Sequence, residues 1–256
     1  MSSEKLSSIR ILAVGNSYAF NALHYFPHVA RELGCRAEVG IVYRGGCSLH
    51  QHAQFSLSDE PAYWYFSSSG GEFTHRENCH FTECFRQGEW DVVTLQQCSA
   101  ESGLPETYGQ DLAHLIGLVK QVHPHAKLFW HMTWPYEQGC SVQGFQNYGC
   151  DVGKMYEAIA ETVKAKILPQ RAFDGMLPAG ALIHRLSARF GGIFHNSADK
   201  LHLNANGEYA VAVLWACLLL HASPEELTEH PAEISDELFA VVKEEVAKLL
   251  KDPTNI

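Results

Sequence analysis

Charged side chains are scarce in this chain of 256 residues: they make up 19% of it, and the formal net charge is −10. These values argue against a partner with a phosphate backbone, such as a nucleic acid. Apolar runs are also short, and the longest uncharged one, 209–220, is too short to cross a bilayer. The residues after Met1 lack the apolar segment of a signal peptide. We therefore expect a soluble, cytoplasmic protein without nucleic-acid or membrane partners.

The eight cysteines do not follow the pattern of a disulfide framework, and no Cys-x-x-Cys pair is present. We expect most of them to be buried, reduced thiols. His75, Cys79, His80 and Cys84 carry groups that bind zinc, but they lie in an irregular, aromatic-rich segment instead of a compact knuckle. We therefore expect neither a metal nor a cofactor.

A buried strand is predicted at residues 9–14, where almost every residue is apolar, as in a parallel sheet covered on both faces. Gly15 ends this run, and Asn16 and Ser17 precede a segment, 19–33, with helical spacing of its apolar residues. Ligands of open α/β sheets bind beyond the carboxyl ends of the strands, which is where this serine lies. Ser17 is then either a nucleophile or only a helix cap.

An Asp-x-x-His pattern near the carboxyl terminus favours the first of these roles. Asp199 precedes His202 by three residues, just before a predicted helix. An aspartate at this spacing sets its carboxylate against one imidazole nitrogen and leaves the other nitrogen free to take a proton from a serine. The sequence therefore predicts a catalytic triad of Ser17, His202 and Asp199.

These segments together resemble the SGNH/GDSL hydrolase superfamily, with Gly-Asn-Ser in place of the usual Gly-Asp-Ser. The chain is similar to the DUF4886 branch of that superfamily in four short islands, which span about residues 9–220. They are Gly-Asn-Ser, Gly-Gly-x-Ser-Leu, Leu-Gln-x-x-Ser and His-Leu-Asn-x-x-Gly. The resemblance implies a serine esterase that cleaves a small acyl ester, such as an O-acetyl group on a carbohydrate or similar metabolite.

The resemblance also implies an oxyanion hole formed by the backbone of Ser17, the backbone of Gly46 and the side-chain amide of Gln97. Two adjacent glycines after a strand predicted at 37–43 allow close backbone approach, although the same pair fits an ordinary tight turn. The family usually has an asparagine where this chain has Gln96 and Gln97. Glutamine carries the same amide one methylene further out, but either glutamine fits a structural role in a loop equally well.

The alternation of strand and helix signals without a linker predicts a single α/β domain over residues 1–256. We expect the three-layer α/β/α sandwich of the SGNH hydrolases, with a flavodoxin-like, mainly parallel sheet of five strands. The remaining strands are predicted at 90–99 and 127–131, with 191–196 as a fifth strand or a loop. An aromatic-rich insertion at about 50–88 shows no clean strand and reads as helix, loop and short helix. Further helices are expected at 179–190, at 207–220, which is apolar on nearly all sides and should be buried against the sheet, and at about 223–251.

Trp134 and Tyr136 follow the fourth strand on the cleft side, and we expect them, together with Asn16, to contact the substrate. A Trp-Pro loop is also a common rigid turn. The Gly-Asn-Ser variant and Gln97 keep open a non-catalytic ligand- or glycan-binding protein on the same fold. A nucleotide-binding domain is disfavoured because no Gly-x-Gly-x-x-Gly follows the first strand. The natural substrate, its acyl group and the oligomeric state are not defined by the sequence.

Overall fold

The computed structural model describes residues 6–256. Residues 1–5 lie outside the described residues. They begin the segment for which the sequence predicts no signal peptide. Within 6–256, none of the helices combines the length and the apolar character that a membrane crossing requires.

Seven strands of the described chain form one mixed sheet. They are β1 Ser8–Gly15, β2 Arg36–Tyr43, β3 Tyr63–Ser69, β4 Thr74–Cys79, β5 Val92–Leu95, β6 Lys127–His131 and β7 Gly175–Leu177. Their order across the sheet is β4-β3-β2-β1-β5-β6-β7. Five neighbouring strands in this order, β2-β1-β5-β6-β7, pair in parallel. Strand β3 pairs antiparallel with both β2 and β4. Counted among themselves, the parallel strands have the flavodoxin order 2-1-3-4-5.

The predicted five-stranded sheet is therefore corrected to seven strands. The insertion contains a β-hairpin, β3 and β4, where the sequence predicted only helix and loop. The last parallel strand is β7 at 175–177, whose three residues are too few to show a period. Residues 191–196, the candidate fifth strand, form a loop with a single antiparallel bridge between His195 and Leu203.

Nine α-helices of the described chain connect and cover these strands. They are α1 Ser17–Leu23, α2 Phe26–Glu32, α3 Leu49–Ser58, α4 Phe81–Arg86, α5 Gln110–Val122, α6 Val152–Lys166, α7 Ala179–Phe190, α8 Ala205–Leu220 and α9 Asp236–Lys251. The single helix predicted at 19–33 is divided into α1 and α2. Pro27 lies in the first turn of α2, where it has no N–H to continue the ladder of α1.

Helix α8 is apolar on nearly all sides and is almost completely buried, as the sequence predicts for 207–220. It contacts α1, α2, α7 and α9. Asn204 caps its first turn, because the Asn204 side chain accepts hydrogen bonds from the N–H groups of Asn206 and Gly207. The buried, capped helix therefore holds the loop that precedes it, 199–203, in a defined position.

Candidate active site

Ser17 is the first residue of α1, directly beyond the carboxyl end of β1. Gly15 is required there, since a Cβ atom at this position would lie 2.7 Å from Oε1 of Gln96. Asn16 caps the helix, and its Oδ1 accepts a hydrogen bond from the Tyr18 N–H at 3.0 Å. The capping role that the sequence left open for Ser17 therefore belongs to its neighbour, and the Ser17 hydroxyl is available for other contacts.

Ser17, His202 and Asp199 form one hydrogen-bonded chain. Nδ1 of His202 lies 2.7 Å from Oδ2 of Asp199, and Nε2 of His202 lies 2.8 Å from Oγ of Ser17. A neutral imidazole that donates its Nδ1 proton to Asp199 accepts the Ser17 hydroxyl proton at Nε2. All three side chains are partly exposed, so a substrate can reach them. The structure thus brings together the three residues of the predicted triad.

Asp199 both shapes its loop and orients the imidazole. Its second oxygen, Oδ1, accepts the backbone N–H groups of Leu201 at 2.9 Å and His202 at 3.0 Å, which forms a tight turn. Partial burial alone raises the pKa of Asp199, but the hydrogen bonds from the His202 side chain and from these two N–H groups outweigh it and lower the pKa. The carboxylate therefore stays ionised beside the imidazole at neutral pH.

A polar network that the sequence analysis missed ties this loop to helix α1. Asn21 lies four residues after Ser17, and its Oδ1 accepts the Leu203 N–H at 3.2 Å. The Asn21 amide donates to Glu208, whose other oxygen lies 2.6 Å from Nδ1 of His24. This contact with Glu208 raises the pKa of His24. Helix α1 thus carries both Ser17 and Asn21, the residue that fixes the 199–203 loop. The sequence signal for this role of Asn21 was its i,i+4 spacing from Ser17.

Trp134 and Tyr136 do not line the cleft, and their predicted role as substrate contacts is wrong. Both side chains are 0% exposed. Trp134 stacks on Tyr18 at 4.1 Å between ring centroids, and its Nε1–H donates to the Leu201 carbonyl oxygen at 3.2 Å. Tyr136 bonds to Ser99, with 2.9 Å between the two hydroxyl oxygens. The loop after β6 therefore supports the 199–203 loop from the protein interior.

Asn16 is also turned inward, against its predicted contact with substrate. It is 2% exposed, and its Nδ2 donates to the carbonyl oxygen of Cys47 at 3.2 Å. Its Oδ1 accepts from Nε2 of Gln96 at 3.0 Å, in addition to capping α1. Asn16 thus links the residues that follow β1, β2 and β5 through both ends of its side-chain amide.

Gln97 does not offer its amide to Ser17 in this structure. The side chain is 1% exposed, and its Oε1 accepts the N–H groups of Leu49 at 2.9 Å and Cys98 at 2.8 Å. Its Nε2 donates to Oγ1 of Thr107 at 3.0 Å. The predicted oxyanion role of Gln97 is therefore corrected to a structural role in the loop after β5. Gln96 is engaged similarly through Asn16.

Gly46 lies in an exposed turn after β2 and adopts the left-handed region, with φ of 63°. This conformation favours glycine. Within residues 6–256, the Gly46 N–H has no protein acceptor, and neither has the Ser17 N–H, which belongs to the first turn of α1. Two of the three predicted oxyanion donors are therefore unpaired groups.

The described residues contain no cluster of three or more His, Cys, Asp or Glu side chains arranged to hold a metal ion. The cysteines are free thiols, and all except Cys150 are buried.

Solved structures define the class of this fold. A protein from Slackia heliotrinireducens assigned to the SGNH hydrolases matches with a TM-score of 0.54 and 22% identity, over 84% of this chain and 100% of that chain. A carbohydrate esterase family 3 protein from Talaromyces cellulolyticus matches with a TM-score of 0.51 and 10% identity, over 83% and 97%. The mixed, mostly parallel sheet and its helices are therefore the α/β fold of the SGNH hydrolases.

The family follows from the sequence. The profile of DUF4886, "Domain of unknown function", matches residues 10–246, so the chain belongs to the DUF4886 family, as the four islands predicted. A crystal structure of a DUF4886 family protein from Bacteroides uniformis ATCC 8492 matches with a TM-score of 0.90 and 26% identity, over 97% of each chain. No curated protein matches the chain.

Proposed function

We propose that this protein is a serine esterase that hydrolyses a small acyl ester through Ser17, His202 and Asp199. The observation that carries the proposal is the continuous chain of hydrogen bonds from Asp199 Oδ2 through the imidazole to Ser17 Oγ, at 2.7 and 2.8 Å. A nucleophile, a base in contact with it and a carboxylate that orients the base are the three groups that acyl transfer needs.

In the reaction, Ser17 Oγ attacks the ester carbonyl carbon while Nε2 of His202 takes the hydroxyl proton. His202 then gives this proton to the leaving alcohol oxygen as the ester bond breaks, which leaves the acyl group on Ser17. Water attacks the acyl-enzyme after losing a proton to His202, and the proton returns to Ser17 Oγ as the carboxylic acid departs. Asp199 stabilises the imidazolium that forms in each half-reaction.

The backbone N–H groups of Ser17 and Gly46 are the proposed donors to the negative charge that develops on the carbonyl oxygen. Both are unpaired within the described structure, and Gly46 lies in an exposed turn. Loss of one such donor typically lowers the rate about 100-fold to 1000-fold. The proposal requires no side-chain donor from Gln96 or Gln97.

The substrate class of the proposal is an O-acetyl or short acyl ester of a carbohydrate or similar metabolite. The likeness to a carbohydrate esterase supports this choice at the level of fold. A small acyl group also agrees with the large buried side chains of Tyr18, the residue after Ser17, and of Trp134, which stacks on Tyr18.

The proposal is tested by the hydrolysis of p-nitrophenyl acetate by the wild type and by the Ser17→Ala variant. We expect Ser17→Ala to lose at least about 10⁴-fold in rate. Ser99→Ala is the matched control, because Ser99 also follows a strand end but bonds to Tyr136 instead of a histidine. A Ser17→Ala variant as active as the wild type contradicts the proposal, and a wild type without turnover returns the protein to the class of ligand-binding proteins.

A further inference from the structure

Six aromatic rings form a continuous surface next to the candidate active site, which we call the aromatic shelf. Neighbouring ring centroids are 4.9 to 6.1 Å apart. The shelf consists of Phe20, Tyr43, Trp64, Phe66, Phe73 and His75. Every one of these side chains is partly or largely exposed. The mutual contacts hold the rings in place, so the shelf presents a preformed aromatic surface to solvent.

The shelf occupies positions where a half-buried strand ordinarily carries polar residues. In β3, Tyr63 and Tyr65 face the core and are buried, whereas Trp64 and Phe66 alternate with them on the opposite face. Trp64 is 41% exposed. An antiparallel strand at this side of a sheet usually alternates apolar and polar residues. Contiguous exposed apolar surface on a folded protein commonly marks a binding site.

The shelf begins at the residues proposed to carry out the reaction. Phe20 lies one helical turn after Ser17 on α1, so the two side chains share one face of that helix. Tyr43 pairs with Gly15 in β1 and with Trp64 in β3. The Tyr43 hydroxyl lies 3.8 Å from where a Cβ of Gly45 would stand, beside the proposed oxyanion donor. When the acyl carbon of an ester lies at Ser17, its alcohol part can therefore lie on the shelf.

Beyond Phe20 and Phe73 the surface continues into an open groove of about 520 Å³ between α2 and the turn of the β3–β4 hairpin. Its walls include the polar side chains of His28, Arg31 and Glu72. The whole surface thus combines an aromatic part next to Ser17, in which neighbouring rings are tilted by 23° to 76° against each other, with hydrogen-bonding groups further away. Sites of this size accommodate small ligands, with polar groups that set their orientation.

The geometry points to the aromatic shelf as the subsite for the pyranose ring that carries the ester, that is, for the leaving alcohol of an acylated carbohydrate. The inference rests on the proposed function and names the substrate class of the same site. A pyranose has an apolar C–H face that packs on flat rings, while its hydroxyl groups point outward to water and to polar walls. A long acyl chain requires an enclosed channel, whereas this surface is open along one side.

The substitution Trp64→Ala tests the inference, because it removes an exposed ring without opening a cavity in the core. The readout is kcat/KM for methyl tetra-O-acetyl-β-D-glucopyranoside divided by kcat/KM for ethyl acetate, with ethyl octanoate as a third substrate. We expect Trp64→Ala to lower this ratio about tenfold, and Trp64→Phe to restore most of it. Leu57→Ala, which shortens an exposed apolar side chain on α3, is the matched control and leaves the ratio unchanged.

An unchanged ratio in Trp64→Ala overturns the inference. A loss confined to ethyl octanoate also overturns it, since the shelf then holds the acyl chain. A loss of equal size on all three substrates overturns it as well, because the ring then acts on the reaction and not on sugar recognition.

A binding experiment separates this inference from the proposed esterase activity. The other four tryptophans are buried, so acrylamide quenching of fluorescence reports mainly on Trp64. In the Ser17→Ala variant, methyl tetra-O-acetyl-β-D-glucopyranoside should protect this fluorescence from quenching, and Trp64→Phe in the same background should abolish the protected component. Protection without turnover by the wild type means that the esterase proposal fails and the sugar site stands. Turnover without protection means the reverse.

Discussion

The 199–203 loop and the β3–β4 hairpin differ in the kind of contact that holds them. The loop is fixed by directional hydrogen bonds: Asp199 binds two N–H groups of its own turn, Trp134 binds Leu201, and Asn21 binds Leu203. The shelf face of the hairpin is held by contacts between rings, which have broad distance and angle preferences. Proton transfer needs atoms placed to within a few tenths of an ångström, whereas the recognition of a flat ring tolerates more variation.

In the 199–203 loop, the largest loss of activity is expected when the base, His202, is removed. We expect His202→Ala to lower kcat for p-nitrophenyl acetate by about 10⁴-fold or more, because no other group among residues 6–256 lies against Ser17 Oγ to take its proton. Asp199→Asn should lose a comparable factor, since an amide at this position favours the wrong imidazole tautomer. Steady-state kinetics with thermal unfolding as a control measures both. A loss below tenfold in His202→Ala contradicts the assigned role.

The substitution Asn21→Ala tests whether positioning of the loop depends on helix α1. We expect kcat to fall about 10-fold to 100-fold with little change in KM, because the Leu203 N–H loses its acceptor, Glu208 loses one of its two partners, and His202 shifts relative to Ser17. Thr162→Ala, a buried polar residue of α6, is the control for a general loss of stability. If both variants lose stability equally and neither loses rate, Asn21 is structural only.

Acidification should lower the free energy of unfolding through two buried histidines, one beside each region: His52 contacts Tyr63 of the hairpin, and the His131 ring packs on Trp134, which binds Leu201 of the loop. Burial lowers the pKa of His52, next to Tyr63 of the hairpin, and of His131, next to Gln96, to about 3 in each case. Both values lie below the unfolded reference of about 6.5, so the unfolded state binds more protons between these limits. The stabilisation is therefore present above pH 6.5 and is lost as the pH falls toward 3.

Urea unfolding between pH 7.5 and pH 5 measures this dependence. Each histidine contributes up to about 1.4 kcal/mol per pH unit to the slope of the unfolding free energy. His52→Gln and His131→Gln should each make the slope shallower by a part of this amount. Slopes equal to that of the wild type in both variants contradict the assignment.

The smallest effect on rate is expected for Gln97→Ala. Its amide donates to Thr107 and its carbonyl oxygen accepts two N–H groups, so the substitution leaves buried groups unpaired. We expect kcat within about threefold of the wild type and a loss of about 2 kcal/mol or more in the free energy of unfolding. A fall of 100-fold in kcat with unchanged stability restores Gln97 as an oxyanion donor.

The parts of the fold that the sequence predicts best are those with strong local signals. Strand β6 and helix α7 begin and end where the pattern places them, and the buried character of α8 follows from its apolar residues alone. The β3–β4 hairpin escaped prediction because Trp64 and Phe66 sit at positions that are usually polar, which removes the period of two. A strand with aromatic residues on its exposed face therefore lacks the alternation by which a strand is predicted from sequence.

The candidate site shows the same limit for single side chains. The Asp-x-x-His spacing predicts the Asp199–His202 contact because the contact is local, and the end of β1 predicts where Ser17 lies. Position at a strand end does not tell which way a side chain points. Trp134, Tyr136 and Gln97 follow strand ends as predicted, yet each turns inward to partners that are distant in sequence.

Covalent labelling with diisopropyl fluorophosphate tests the central claim most directly, because the reagent transfers its phosphoryl group only to an activated nucleophile and releases fluoride. Trypsin yields the peptide 11–31, in which Ser17 is the only serine. We expect the wild type to carry a single label on this peptide, Ser17→Ala to carry none, and His202→Ala to react far more slowly. A label on another peptide, or equal labelling of Ser17→Ala, contradicts the account.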